Sequence, residues 1–162
     1  MLFPIKVLKS RMKKLLIGLS FILPSVGSCC PSLEGTWSSS IDKFEFFNKK
    51  WANIDEKAWS FMAQTQGREV IIFSDMKEMF IATPEIEVKM GERKMKIPSK
   101  EENISFNILG CTDKSIVLEY ERYGKIQISQ LHFENENTYW EYMGTSGGDG
   151  NSHIREYYTK VE

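Results

Sequence analysis

The sequence predicts an all-β domain of antiparallel strands, because apolar and polar residues alternate and turn residues recur at short intervals. In EIEVKM, Ile86, Val88 and Met90 share one face, and ISFNI and SIVLEYE repeat the pattern. The segments are separated by turn residues: Ser74-Asp75, Gly91-Glu92, Thr112-Asp113, Tyr123-Gly124 and Asn135-Glu136-Asn137. Period-two alternation is typical of strands with one buried face. Short strands at this spacing favour a sandwich or a closed barrel.

A basic and then apolar leader occupies residues 1–28. Its positive charges come first: Lys6, Lys9, Arg11, Lys13 and Lys14. The apolar stretch at positions 15–27 has 13 residues, whereas a membrane-spanning helix needs about 20. A charged segment followed by a short apolar one predicts a secretory signal peptide. Met1 and Met12 are both suitable initiators, since MKKLLIGLSFIL opens a complete signal by itself.

The residues Val26-Gly27-Ser28-Cys29 resemble a bacterial lipobox. The resemblance implies cleavage after residue 28 and acylation of Cys29, with palmitate among the acyl chains, which together anchor a protein stably. Residues 29–32 then form a lipidated tether, and residues 33–162 form the folded domain. Because residue 30 is not aspartate, resemblance to Gram-negative lipoproteins implies the cell envelope, at the periplasmic face of the outer membrane. Ordinary cleavage with two structural thiols is the alternative.

Processing changes the charge of the chain. Five of its 21 basic residues lie in the leader and all 22 acidic residues follow it, so the mature net charge is −6. An acidic surface argues against a nucleic-acid partner. It is compatible with simple solubility or with a basic protein partner.

Two cysteines remain if Cys29 is acylated. Cys30 and Cys111 are able to pair in an oxidising envelope, which would tie the tether to the middle of the domain. The alternative is that both cysteines serve only as small buried residues.

One segment has helical rather than strand periodicity. Apolar residues recur there at three- and four-residue steps: Phe44, Phe47, Trp51, Ile54 and Ala58. Asp42 precedes them in the position of an N-cap. The pattern predicts one short helix near the N-terminus, packed against the sheet. A pair of strands is the alternative.

The strand KIQISQLHF changes parity along its length. Its apolar residues fall into two sets: Ile126 with Ile128, and Leu131 with Phe133. A β-bulge between Ser129 and Gln130 would return both sets to the core.

LEGTW contains Gly35-x-Trp37, and here the chain resembles the lipocalin-like, or calycin, group. In that group a Gly-x-Trp on the first strand closes the bottom of an antiparallel up-and-down barrel, and an arginine from the last strand packs across the indole. The resemblance implies these closing roles for Gly35, Trp37 and Arg155, with the first and last strands as neighbours. The interior would then hold large aromatic residues that fill a core or line a pocket: Phe106, Tyr120, Trp140 and Tyr157.

No pattern in the sequence points to catalysis, a cofactor or a metal ion. His132 and His153 have no ligand spacing, and nucleophile-elbow, phosphate-loop and zinc patterns are missing. The glycine-rich segment GTSGGDGNS is typical of a hairpin loop. Loops at a barrel mouth often carry recognition, so we expect a partner-binding region around Trp140, Tyr142 and Asp149.

These observations predict a lipid-anchored envelope lipoprotein without enzymatic activity, whose barrel binds a small apolar ligand. The alternative is a periplasmic inhibitor or immunity protein that binds a basic envelope protein and blocks a toxin or hydrolase. The first function requires a hollow barrel and the second a packed one.

Overall fold

A computed structural model describes residues 30–143 and 153–161 of the chain. Within these residues there are two helices, α1 (Ile41–Trp51) and α2 (Glu56–Thr65), and ten strands. The strands are β1 (Gly35–Ser39), β2 (Val70–Phe73), β3 (Glu78–Thr83), β4 (Ile86–Met90), β5 (Arg93–Ile97), β6 (Lys100–Cys111), β7 (Ser115–Arg122), β8 (Lys125–Asn135), β9 (Thr138–Tyr142) and β10 (Arg155–Val161). The predicted leader, the acylation site at Cys29 and Asp149 lie outside the described residues.

Eight of the strands form a closed antiparallel barrel in the order β1-β10-β9-β8-β7-β6-β3-β2. Neighbours in space are neighbours along the chain, apart from the β4–β5 hairpin between β3 and β6. The first and last strands pair, with Trp37 opposite Lys160. The predicted all-β, up-and-down, lipocalin-like barrel is therefore confirmed.

The helical segment consists of two helices rather than the one expected. Ser40, not Asp42, caps α1 by accepting the Lys43 N–H at 3.5 Å, and Asp55 caps α2. Phe44 of α1 is buried and stacks on Trp59 of α2, with ring centroids 5.8 Å apart. In the described part of the chain no helix is long and apolar enough to cross a membrane.

Asn48 holds α1 against the outside of the barrel. Its side-chain amide donates to the Arg155 carbonyl at 2.8 Å and accepts the Arg155 N–H at 3.0 Å. These two bonds satisfy the backbone N–H and C=O groups of Arg155 at the start of β10. Burying either group without a hydrogen-bond partner would cost free energy.

One end of the barrel is filled by a packed apolar core. Its aromatic side chains are Trp37, Phe73, Phe106, Phe133, Tyr139 and Tyr158. The Trp37 indole N–H donates to the Leu33 carbonyl at 2.7 Å, so its one polar atom is satisfied. Trp37 is fully buried in this end of the barrel.

The expected packing of Arg155 on Trp37 is wrong. Trp37 faces the interior opposite Lys160, whose Nζ lies 5.4 Å from the indole centroid. Arg155 begins the same strand at the other end, on the outer face, 3.7 Å from the ring centroid of Trp140 and 4.0 Å from that of Phe47. The guanidinium therefore fastens α1 to the barrel wall and does not close the barrel.

Two of the four aromatic residues expected inside the barrel are outside it. Phe106 belongs to the core and Tyr120 packs against it. Tyr157 instead contacts Phe47 of α1, and Trp140 stacks on the outer face beneath Arg155. Helix α1 covers this part of the wall, so aromatic residues on the outer face are also partly shielded from water.

The bulge expected between Ser129 and Gln130 is also wrong. The pairing of β7 with β8 is continuous along the strand, and the bulges lie elsewhere, in β6 near Gly110 and at the end of β8. Without the bulge, Ile126 and Ile128 point outward and are 71% and 67% exposed. Their neighbours Gln127 and Ser129 line the interior, because this end of the barrel is polar inside.

A disulfide joins Cys30 to Cys111, with the Cα atoms 5.5 Å apart. It connects the segment before β1 to the far end of β6, beside the packed core. The start of the folded domain is thus covalently held at the filled end of the barrel.

Candidate functional site: an acid-lined cavity at the open end of the barrel

The end of the barrel opposite the packed core encloses a cavity of about 950 Å³. Inward residues of the barrel strands form its wall, together with the end of α2 and the β4–β5 hairpin. Helix α2 packs against β4, and Gln64 joins them by accepting the Lys89 N–H and donating to the Lys89 carbonyl. The volume lies within the range of small-molecule sites, roughly 300 to 1,000 Å³.

The cavity ends on the apolar core. Below it there is only a narrow space of about 30 Å³, lined by residues such as Ile71, Leu118 and Leu131. The barrel is therefore filled in one half and hollow in the other, which combines the two interiors considered from the sequence.

Two carboxyl groups stand opposite each other on the cavity wall. Glu141 of β9 and Glu156 of β10 are directly paired in the antiparallel register, and both line the cavity. Side chains in such a pair have Cβ atoms about 4.5 to 5.5 Å apart, and like charges in this arrangement are destabilising. Something must offset this repulsion, either a proton or a counter-charge.

Glu156 is 4% exposed. Its Oε1 accepts from the Ser39 hydroxyl and from the Gly67 N–H at 3.5 Å. Its Oε2 is buried and has no hydrogen-bond partner among the described residues. Burial raises the pKa of Glu156 to about 7, and the bonds from Ser39 and Gly67 only partly oppose that effect.

Gly67 is required for this geometry. It adopts φ +75°, and a Cβ added there would lie 2.5 Å from the Cβ of Ile41 at the start of α1. The turn after α2 passes so close to α1 that only glycine fits. The same turn brings the Gly67 N–H toward Glu156.

Glu141 is the second carboxyl group without an ion pair. The Ser129 hydroxyl donates to its Oε2, and burial raises its pKa to about 7. Among the described residues, no lysine or arginine lies within ion-pair distance of Glu141 or Glu156.

Glu69, the third acidic residue of the cavity lining, is compensated, and so is Glu102, which shares Arg122 with it. Glu69 accepts from the Tyr158 hydroxyl at 2.9 Å and lies 3.9 Å from Arg122. Glu102 has Arg122 at 2.7 Å and Lys100 at 2.9 Å. Burial still raises the pKa of Glu69, because the Tyr158 bond and Arg122 offset it only in part. Glu141 and Glu156 are therefore the acidic residues of the cavity lining that have no cationic partner among the described residues.

The described residues do not form a metal site. They contain no group of three or more His, Cys, Asp or Glu residues placed to hold a metal ion. Two carboxyl groups on adjacent strands form only part of such a ligand set.

Trp140 and Tyr142, two of the residues expected to bind a partner, lie on the outer wall of the barrel. Trp140 stacks on His132, with centroids 4.1 Å apart and planes at 13°. Tyr142 packs edge-on against Trp140 at 5.0 Å, near His153, and also reaches the rim of the cavity. Burial and the nearby Arg155 lower the pKa of His132.

The acidic residues of the cavity were not predicted from the sequence. Glu156 shares one face of β10 with Tyr158, and Arg155 shares the other face with Tyr157. The alternation was therefore visible in the sequence, but which of the two faces points into the barrel was not. Both faces of REYY carry an aromatic residue. No signal in a single sequence distinguishes a strand face that lines a cavity from one covered by a helix.

The closed up-and-down barrel, with one filled end and one open end, is a lipocalin-like all-β fold. Comparison of the chain with protein-family models, with curated proteins and with solved structures finds no match.

Proposed function

We propose that this protein is a membrane-anchored lipoprotein whose barrel binds a small molecule in the cavity at its open end. The observation that carries the proposal is Glu156, a buried carboxyl group that lines a cavity of ligand size and leaves one oxygen without a partner. Convergent polar groups in a concave site are characteristic of small-molecule binding. We expect no enzymatic activity.

The polarity of the lining modifies the ligand expected from the sequence. An apolar molecule would leave Glu141 and Glu156 without hydrogen bonds and shield them further from water, which costs free energy. A ligand that carries polar groups fits the cavity better. The alternative role as an inhibitor or immunity protein required a packed interior, so the cavity favours ligand binding.

The Cys30–Cys111 disulfide and the cavity lie at opposite ends of the barrel. Lys100 at the start of β6 lines the cavity, and Cys111 at its end holds Cys30, which directly follows the proposed acylated Cys29. A strand of 12 residues spans roughly 35 Å. An anchor at Cys29 would therefore direct the open end away from the membrane surface, where a ligand has access to it. A disulfide also suits an envelope location, because cytosolic thiols are kept reduced.

Native mass spectrometry tests the proposal on the full chain, produced in its own cells and released from membranes with detergent. We expect a small bound mass that denaturation removes. The variant Gln127→Trp places a bulky side chain on the cavity wall and should abolish the bound mass. Ile126→Trp is the matched control, because Ile126 is the adjacent residue and points outward.

Circular dichroism should show the same β content in both variants. Wild-type protein without a bound mass, or equal ligand recovery from both variants, would contradict the binding function.

A further inference from the structure

Three acidic side chains (Glu69, Glu141 and Glu156) and three cationic ones (Arg68, Lys100 and Arg122) line the cavity, but they are not evenly paired. Arg122 and Lys100 are both engaged by Glu102, and Arg122 also lies near Glu69. Neither reaches Glu141 or Glu156 within ion-pair distance. Two neighbouring acidic residues are not in themselves a binding site. Here, however, one oxygen of the pair is buried and has no hydrogen-bond partner among the described residues.

That oxygen is Oε2 of Glu156, on a side chain 4% exposed to solvent. Buried polar groups in folded proteins almost always have a partner. When Glu156 is ionised, this oxygen lacks a hydrogen-bond donor, since the other oxygen already accepts from Ser39 and Gly67.

We propose that the ligand of this cavity is an organic cation, whose ammonium group binds between Glu141 and Glu156. The inference rests on the proposed small-molecule function and specifies its ligand class. An ammonium carries three donors and a positive charge, so one group satisfies the open oxygen of Glu156, contacts Glu141, and removes the repulsion between them. Hydrogen bonds between charged partners are about twice as strong as neutral ones.

The rest of the cavity suits the body of an organic molecule rather than a bare ion. Phe61, Tyr120 and Tyr158 contribute aromatic surface, and Ile86 and Ile97 of the β4–β5 hairpin contribute apolar surface. The described residues provide no ligand set for a metal ion. A volume of about 950 Å³ also far exceeds what a single hydrated cation occupies.

Anionic ligands fit poorly. Lys100 and Arg122 already have carboxylate partners. Arg68, the third cation of the lining, donates its Nε to the Gln64 carbonyl at 3.0 Å and lies beyond ion-pair distance of the acid pair. A carboxylate or phosphate placed beside Glu141 and Glu156 would therefore meet two acids that have no cationic partner among the described residues. A neutral ligand is able to donate hydrogen bonds but does not relieve the like-charge pair.

Three probes with the same indole ring and different charge separate these classes. Tryptamine is a cation at pH 7.5, tryptophol is neutral and indole-3-acetate is an anion. We expect isothermal titration of the full-length protein in detergent to show tryptamine binding at least tenfold more tightly than tryptophol, and no measurable binding of indole-3-acetate.

Two variants place the preference at the acid pair. Glu156→Gln keeps the size of the side chain and removes its charge, so the tryptamine preference should fall at least fivefold. Glu121→Gln is the control, because Glu121 is exposed on β7 outside the cavity, and should retain the wild-type preference. An unchanged preference in Glu156→Gln would overturn the assignment of the ammonium site.

The results distinguish the two proposals. Equal binding of tryptamine and tryptophol, or tighter binding of indole-3-acetate, would overturn the cation assignment and leave the small-molecule function intact. Failure of all three probes would also overturn the cation assignment. The bound mass in native protein then decides the small-molecule function separately.

Discussion

Replacing Glu156 with glutamine should stabilise the protein at alkaline pH, because the charged carboxylate is buried without a full set of partners. Its pKa is about 7 in the folded protein, against an ordinary value of 4.5. At about 1.36 kcal/mol for each pH unit, burial of the charged form costs roughly 3 kcal/mol of unfolding free energy. Glutamine avoids that cost and keeps an oxygen to accept from Ser39 and Gly67.

The sign of the pH dependence follows from proton uptake. Between about pH 4.5 and 7, folded Glu156 holds a proton that the unfolded chain has lost. The free energy of unfolding therefore falls as the pH rises through this window, and the loss is complete above it. Below pH 4.5 both states are protonated, so this residue no longer contributes.

Urea unfolding at pH 5, 6, 7 and 8 measures the effect. Glu156→Gln should match the wild type near pH 5 and exceed it by up to about 3 kcal/mol at pH 8. Glu141, with a pKa of about 7, and Glu69, whose pKa is also raised, still titrate in the variant, so part of the slope should remain. Glu121→Gln, an exposed control, should keep the wild-type slope.

A variant that is less stable than the wild type at pH 8, or that retains the whole wild-type slope, would refute this account of the carboxyl pair. Either outcome would mean that Glu156 has a partner for its charge in solution.

Three further predictions concern the framework around the cavity. Gly91→Ala should cost about 1 to 2 kcal/mol of unfolding free energy, because alanine is strained in the left-handed conformation and nothing lies near its added Cβ. Gly67→Ala should cost about 1 to 3 kcal/mol more, because its added Cβ also clashes with α1. Equal losses of the two variants in urea unfolding would contradict this close approach of the chain to α1. Cys30→Ser should cost about 4.5 kcal/mol, from the closure entropy of a segment of 81 residues, and reduction of the wild type with dithiothreitol should reproduce the loss. Arg155→Ala and Trp140→Leu should show a coupling of about 0.5 to 2 kcal/mol in a double-mutant cycle; simple additivity would show that the stacked guanidinium contributes nothing.

The class of fold was accessible from the sequence for a local reason. Alternation in EIEVKM and SIVLEYE, with turns such as Tyr123-Gly124, depends only on residues adjacent in the chain. These signals are therefore recognisable without any knowledge of tertiary contacts. The Gly35-x-Trp37 resemblance added the pairing of the first and last strands, which the register of Trp37 opposite Lys160 bears out.

The orientation of individual strands was not accessible in the same way. The rule that apolar residues face inward predicted a bulge in β8 to bury Ile126 and Ile128, but those residues are exposed. The rule fails where the interior is a polar cavity. It also fails at β10, where α1 covers the outer face and makes Tyr157 a buried residue on the outside.

The candidate site depends on the tertiary structure for the same reason. Glu141 and Glu156 are 15 positions apart in the sequence, and neither occurs in a recognisable motif. Closure of the barrel sets them side by side on the inner wall.

By itself, the sequence determined that this chain is an antiparallel β protein with a short helical insertion, because alternation and turn chemistry are properties of neighbouring residues. Only the tertiary structure decided which face of each strand lines the interior, that the interior is half hollow, and that two acids meet there. A strand presents two faces of similar composition in this chain, and the choice between them is made by what each face packs against after the barrel has closed.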